Sequence, residues 1–497
     1  MPSYHQQRSK SPGEQPHICT YRLVCVIALV GIGILVLRSA IPGSIVHAQA
    51  GSVTWSEPVR LTAEGKVAGS LFYAPIQVTT DKYGYVHIFW REMSEPGAIM
   101  YARSNGLDPV EVRDIMATET AYPVSAFVDE NDNLHLTIVE ENRDFYLKTV
   151  PLSQSDNARA WIGSPTVAVP GAVYQSTAGT WYALRKTLGE GYISFSDDAG
   201  ASWSDETLIV SAEKPGEYVQ FDLVIDRNDR LHLAWTSVVL EGPGSGYGYF
   251  LNYAFSDDHG RTWSDPLTLD KKDERYWETY GITSVILTLD SLDRLHLIWF
   301  GAPAGQRHYR RSDDGGRNWT EDLQLWPEHR GITGPHKLAE DSAGVMHLVT
   351  GRMGGGLFHA SLTQGNWSVP VEINPSIGDA ESHQVVITAG NRLHAIWANV
   401  METHDVWYAS GFAAAPAIQV PAYPTPAPEP MARKQLTPAI PAATTPPTQV
   451  PGLRPPVVSD QESVAASPGA AILTGALASF LAVGVVVVVE LIRKRQV

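Results

Sequence analysis

The chain has 497 residues, 44% of them hydrophobic, with 14 Trp, 20 Tyr and a formal charge of -16. That much apolar and aromatic material builds a large β core, one domain of roughly 360 residues with appendages, and the acidic balance disfavours nucleic acid and anionic lipid surfaces as partners. Both cysteines, Cys19 and Cys25, lie near the N-terminus, so the mature ectodomain is expected to carry no disulfide.

Arg22 opens an apolar run from Leu23 to Leu37, and Ser44-Ile45-Val46-His47-Ala48-Gln49-Ala50 follows. Ala48 and Ala50 form a small-x-small cleavage site, so residues 1–50 are expected to be a secretory signal cut after Ala50. An uncleaved signal anchor is the competing reading, because the polar N-region is long. Next comes Trp55-Ser56-Glu57-Pro58-Val59-Arg60-Leu61, an outer-strand pattern with no unit before it.

From Asp81 onward a unit recurs: Asp, a short turn, then an apolar-His-apolar strand that often ends in Trp. The copies are Asp81 with His87 and Trp90, Asp129 with His135, Asp226 with His232 and Trp235, Asp290 with His296 and Trp299, Asp341 with His347, and His394 with Trp397. In the gap after His135, the strand Thr180-Trp181-Tyr182-Ala183-Leu184 puts Tyr182 at the His position. Seven units spaced roughly 47 to 64 residues apart match a propeller blade of four short strands. A six-bladed ring is the alternative.

The last unit ends at Tyr408-Ala409-Ser410 with no outer strand after it. The N-terminal strand is therefore expected to complete the seventh blade and close a ring over residues 51–411, removing open sheet edges. The repeated His is expected to hydrogen-bond within each blade, since equivalent positions on radial blades lie apart and do not converge on one ion. No metal and no cofactor is expected.

Three turns punctuate these units: Ser196, Asp198, Gly200 and Trp203; Ser256, Asp258, Gly260 and Trp263; Ser312, Asp314, Gly316 and Trp319. Each offers a hydroxyl and a carboxylate to backbone groups, a Gly for positive φ, and a Trp to cover the hairpin. The pattern resembles the Asp-box, or BNR repeat, of the sialidase-like β-propellers, S-x-D-x-G-x-[ST]-W, with Asn318 replacing the hydroxyl residue in the last copy.

The resemblance implies an all-β propeller with these turns between the third and fourth strands, away from the active site. Sialidases proper have six blades, so seven is a departure. It also implies hydrolysis of a terminal sialic acid, with three arginines gripping the carboxylate, a Tyr nucleophile assisted by Glu, and an Asp acid/base. The family's Arg-Ile-Pro arginine belongs on the first inner strand. Here the stretch is Phe72-Tyr73-Ala74-Pro75, and Tyr73 cannot supply arginine's fixed fork of donors. A conventional sialidase is therefore disfavoured.

Loops joining second to third strands, and outer to next inner strands, emerge opposite the Ser-x-Asp turns. Extra length collects there, at Val238 to Gly248 and Asp270 to Gly281. The second loop reads Asp273-Glu274-Arg275-Tyr276-Trp277-Glu278-Thr279-Tyr280, a mixture of flat rings and carboxylates suited to carbohydrate. Glu278, Tyr276 and Glu381 are the candidate catalytic groups. Tyr73, Trp277, Tyr280, Glu217, Tyr218, Glu328, His329, Arg330, Arg352 and His383 are candidate ligand-binding residues, with Arg91, Glu92, Asp379 and His404 on the same face. Three functions stay open: a module that recognises a carbohydrate or glycoprotein ligand, a divergent glycoside hydrolase needing two suitably separated carboxyls, and a protein-interaction scaffold.

Residues 412–467 are rich in Pro, Ala and Thr and are expected to form an extended stalk, which at about 3.1 Å per residue reaches well over ~100 Å. Ala470 to Val489 is uncharged, and Arg493-Lys494-Arg495 follow. A single transmembrane helix within 468–492 is expected, with a basic cytoplasmic tail at 493–497 and the propeller outside.

Overall fold

The computed structural model describes residues 53–68, 76–140, 142–214, 217–239, 248–272, 281–301, 305–331, 337–352, 355–374, 380–399 and 404–425. The expected signal segment, the stalk beyond Thr425, the membrane helix and the basic tail lie outside them. Among the described residues no helix is long and apolar enough to cross a membrane.

Seven antiparallel sheets follow one another around the ring. Blade 1 runs Gln77–Thr80, Val86–Glu92, Ala98–Ser104 and Glu111–Ala117. Blades 2 to 6 have inner strands Tyr122–Val128, Ala172–Gln175, Glu217–Ile225, Thr283–Leu289 and Ala339–Glu340. In blade 7, Ala380–Thr388, Arg392–Asn399 and Val406–Ala413 are completed by the N-terminal chain. Val53 pairs with Ala413 and Trp55 with Gly411, then Val59 with Tyr408 and Arg60 with Trp407. The ring closes as the orphan strand implied.

Second strands carry the heart of the core, because they are covered on both sides: Val86–Glu92, Leu295–Gly301 and Met346–Gly351 are buried along their whole length. Polar atoms this deep need partners. His87 finds two, Asp81 at 3.1 Å and the Tyr101 hydroxyl at 2.7 Å. Burial lowers the imidazole pKa, so a neutral ring donates through Nε2–H and accepts from tyrosine at Nδ1. Asp290, His296 and Tyr309 repeat the arrangement at 3.2 and 2.9 Å.

The relay resembles a catalytic triad in connectivity, yet His87 is 0% and Tyr101 1% exposed, so it ties three strands together within a blade. Blade 7 replaces the carboxylate with Thr388, whose hydroxyl lies 2.8 Å from His394 Nε2. In blade 3, Tyr182 reaches His259 on the turn of blade 4 at 2.6 Å.

Each Ser-x-Asp turn links a third strand to a fourth. Asp198 Oδ1 accepts from Ser196 Oγ and Ser202 N at 2.8 Å each, and Gly200 N donates to Ser196 Oγ at 2.9 Å. The hydroxyl and backbone N–H of Ser202 lead the causes that hold Asp198 at about 2. The equivalent loop of blade 2 instead forms a helix, Ala158–Gly163, capped by Asn157, with Trp161 buried against Phe89.

The Pro-rich segment does not leave the ring at residue 412. Asn391 donates to Ala415 O at 3.2 Å, Ser342 Oγ also donates to Pro416 O, and Ile418 N donates to Ala389 O at 2.8 Å. Tyr423 then inserts beside Tyr83 and Tyr85, under Arg103, and donates to Leu152 O at 2.9 Å. Residues 413–425 thus strap blades 6, 7, 1 and 2 across the face of the Ser-x-Asp turns. Composition hid this because proline bars a sheet ladder but not apolar docking.

Candidate functional site at the open end of the ring

Inner strands begin at the face opposite the turns, and three of them are irregular there. Register shifts lie between Pro123 and Ser125, Thr283 and Ile286, and Glu381 and Gln384. Ser284 and Ser382 take φ of 52° and 47°, a left-handed conformation that costs a serine energy. Gln220 bridges blades 4 and 5, accepting from Thr283 Oγ1 at 2.8 Å and Ser284 N at 2.9 Å, while its amide donates to Tyr218 at 2.8 Å.

Of the sequence candidates, Tyr73, Tyr276, Trp277, Glu278 and Tyr280 lie outside the described residues, as does Asp379. Glu381 sits in the inner strand of blade 7. Glu217 and Tyr218, expected in a loop, instead open the inner strand of blade 4. Glu217 Oε2 is buried without a hydrogen-bond partner among the described residues. Together with burial, the Glu217 carboxylate raises the pKa of Glu213.

Blades 5 to 7 gather the basic candidates. Glu328 and Arg330 are exposed on the connection into blade 6. His329 packs edge-on to Phe358 at 5.0 Å, and Arg352 covers the same ring at 4.9 Å. Burial, then Arg352, lowers the His329 pKa. His383 was expected at the surface but is 0% exposed within the inner strand, with Gly351 N at 3.4 Å from Nε2, and burial holds it at about 3. Arg307, absent from the sequence candidates, is 1% exposed and donates to the carbonyls of His329 and Gly351. Burial lowers it to about 9. Arg91 donates to Glu119 O and stacks on Tyr122 at 4.1 Å.

A second polar group gathers by the inner strand of blade 4, and sequence patterns gave no sign of it. Tyr174 of blade 3 is 40% exposed. Lys186 of blade 3 donates to Phe221 O at 3.1 Å, and Lys337 meets Asp222 at 3.3 Å. Among the described residues, no three His, Cys, Asp or Glu side chains gather closely enough to hold a metal ion.

This architecture is a seven-bladed, all-β propeller. No family model matches the sequence, and no curated protein is similar to it in sequence. Solved structures are similar to it. The polysaccharide lyase Uly1 is 12% identical at a TM-score of 0.50, covering 72% of this chain and 99% of its own. A protein of unknown function from Dyadobacter fermentans is 14% identical at 0.44, over 73% and 99%. The intramolecular trans-sialidase from Ruminococcus gnavus is 13% identical at 0.34, over 73% and 94%.

Proposed function

We propose that this chain is a membrane-anchored, extracytoplasmic propeller that recognises glycans or glycosylated partners through the face opposite its Ser-x-Asp turns. The observation that carries this reading is how the described arginines of that face are used. Arg91, Arg307 and the exposed Arg330 each spend guanidinium donors on backbone carbonyls of their own ring, and Arg352 lies against Phe358. A carboxylate clamp needs those forks turned outward. Tyr218, Gln220, Thr283 and the strained Ser284 instead offer a tier of neutral hydroxyl and amide groups, the chemistry that reads sugar hydroxyls.

Anchoring is read from the Pro-rich stalk and the uncharged stretch before Arg493. A divergent glycoside hydrolase is the second reading, favoured by Glu213, whose pKa burial and then the neighbouring Glu217 carboxylate raise, as suits a general acid.

The test is a glycan-array screen of the full chain in detergent, run beside turnover of fluorogenic glycosides that include a sialoside. Saturable binding without turnover supports recognition. Turnover lost in Glu217→Gln or Glu278→Gln makes the protein an enzyme, and silence in both assays moves the weight to a protein scaffold.

A further inference from the structure

The N-terminal chain closes the ring through two short strands. Val53–Trp55 and Val59–Arg60, three and two residues long, pair with the third strand of blade 7, and an isolated pair of strands is marginal in water. The same chain then grips blade 1 at the open end, where Met93 N donates to Val67 O at 2.9 Å and Lys66 meets Glu92 at 3.2 Å. The ladder thus joins blade 7 to blade 1 across the break between the chain ends.

A second connection crosses the same break on the opposite face. Leaving the third strand of blade 7 at Ala413, the chain first stays with that blade: Asn391 donates to Ala415 O at 3.2 Å, and Ile418 N donates to Ala389 O at 2.8 Å. Val420 then reaches blade 1, where a Cβ on Gly84 would stand 3.4 Å from its Cγ1. Tyr423 completes the crossing. Its ring lies 4.7 Å from that of Tyr85 and 4.3 Å from the Arg103 guanidinium, and its hydroxyl meets Leu152 O at 2.9 Å and Ser155 Oγ at 3.2 Å in blade 2.

The two connections run in parallel, since each ties the third strand of blade 7 to blade 1. While one is made, the partners of the other stay at high effective concentration and re-pair quickly after opening. They are separate in space: Tyr423 meets residues of blades 1 and 2, whereas Trp55 of the ladder meets Gly411 and His359 of blades 7 and 6. Between them the blades pack directly, Ser104 Oγ lying 2.9 Å from the Tyr408 hydroxyl, so loss of one connection leaves the ring folded.

We propose that residues 413–425 form a second closure of the ring, coupled to the N-terminal ladder through the ring itself, so that release of either loosens the other. The coupling does not depend on what the open end binds.

Hydrogen exchange followed by mass spectrometry, on the full chain in detergent, tests one direction. Tyr423→Ala is expected to speed exchange severalfold in peptides covering residues 53–61, where the Ser56 and Leu61 amides donate to Ser410 O and Val406 O at 2.7 Å each. Exchange in Glu217–Ile225 of blade 4 should change little, whereas a general loss of stability would raise both alike.

The other direction keeps Tyr423 in place. Thr54 and Phe412 are exposed and directly paired; paired Cα atoms lie about 4.5–5.5 Å apart, within the reach of a disulfide, about 4.4–6.8 Å. Thr54→Cys with Phe412→Cys, in a chain carrying Cys19→Ser and Cys25→Ser, locks the ladder on oxidation. Because coupling is reciprocal, oxidation is expected to slow proteinase K cleavage between residues 418 and 425 severalfold relative to the reduced form. Ladder exchange that is unchanged in Tyr423→Ala, or raised equally in blade 4, overturns the proposal, as does equal cleavage of the oxidised and reduced forms.

Discussion

Acidification should begin to destabilise this ring above the range where carboxylates titrate. Burial holds His359, His383 and His394 at about 3 and His232 at about 4, and each is at most 4% exposed. In the unfolded chain the same groups titrate near 6.5. Between those values the unfolded state binds protons that the folded state refuses. Stability is therefore complete above about pH 6.5 and falls as pH drops towards the folded pKa values, where the loss levels off.

Each histidine costs up to about 1.4 kcal/mol per pH unit, so two units below 6.5 each has cost about 2.7 kcal/mol. Four independent groups give about 11 kcal/mol, less where His359 couples to His347 at 2.9 Å. That approaches the whole stability of a typical domain, about 5–15 kcal/mol. Asp198 and Asp258, held at about 2, act in a separate window, because their contribution is present above about 3.8 and fades only below it. Urea unfolding followed by tryptophan fluorescence between about pH 7.5 and 4.5 measures the slope, and His394→Gln should reduce it by one proton. A stability unchanged between about pH 7 and 5, or an unaltered slope in His394→Gln, would refute the reasoning.

Other perturbations probe the frame. Gly316→Ala places a Cβ 1.8 Å from the Tyr253 hydroxyl at a φ of 86°, so a loss of about 2 kcal/mol in chemical denaturation is expected. Trp55→Ala removes the ring that covers Gly411 and meets His359 at 5.5 Å; about 2 kcal/mol and a lower Tm should follow, since the closing strand loses its anchor. Tyr423→Ala should release the strap, read as earlier proteinase K cleavage between residues 413 and 425, whereas Tyr423→Phe loses only the hydroxyl contacts to Leu152 O and Ser155, about 1 kcal/mol.

The blades were legible because their signals are local. Asp226, the turn and His232 lie within one hairpin, and Ser256, Asp258 and Gly260 within one turn, so each copy announces itself in a few consecutive residues. Closure was legible for a related reason: an unpaired outer-strand pattern at Trp55 and a missing one after Ser410 are two local facts with one spatial solution. The strap escaped because docking onto hairpin turns leaves no periodic trace. His383 looked exposed because it follows a loop, but the register shift between Glu381 and Gln384 accompanies its turn into the core.

By itself the sequence determined the repeat and pointed to seven blades, with six as the alternative, and to the partner of the N-terminal strand, since those follow from hydrogen bonding between near neighbours or between two unsatisfied edges. Only the tertiary structure decided which polar groups of different blades meet. Asp222 and Lys337 stand 115 residues apart and meet because the ring brings the connection into blade 6 up to the inner strand of blade 4. There, distance through space, not along the chain, sets the electrostatics.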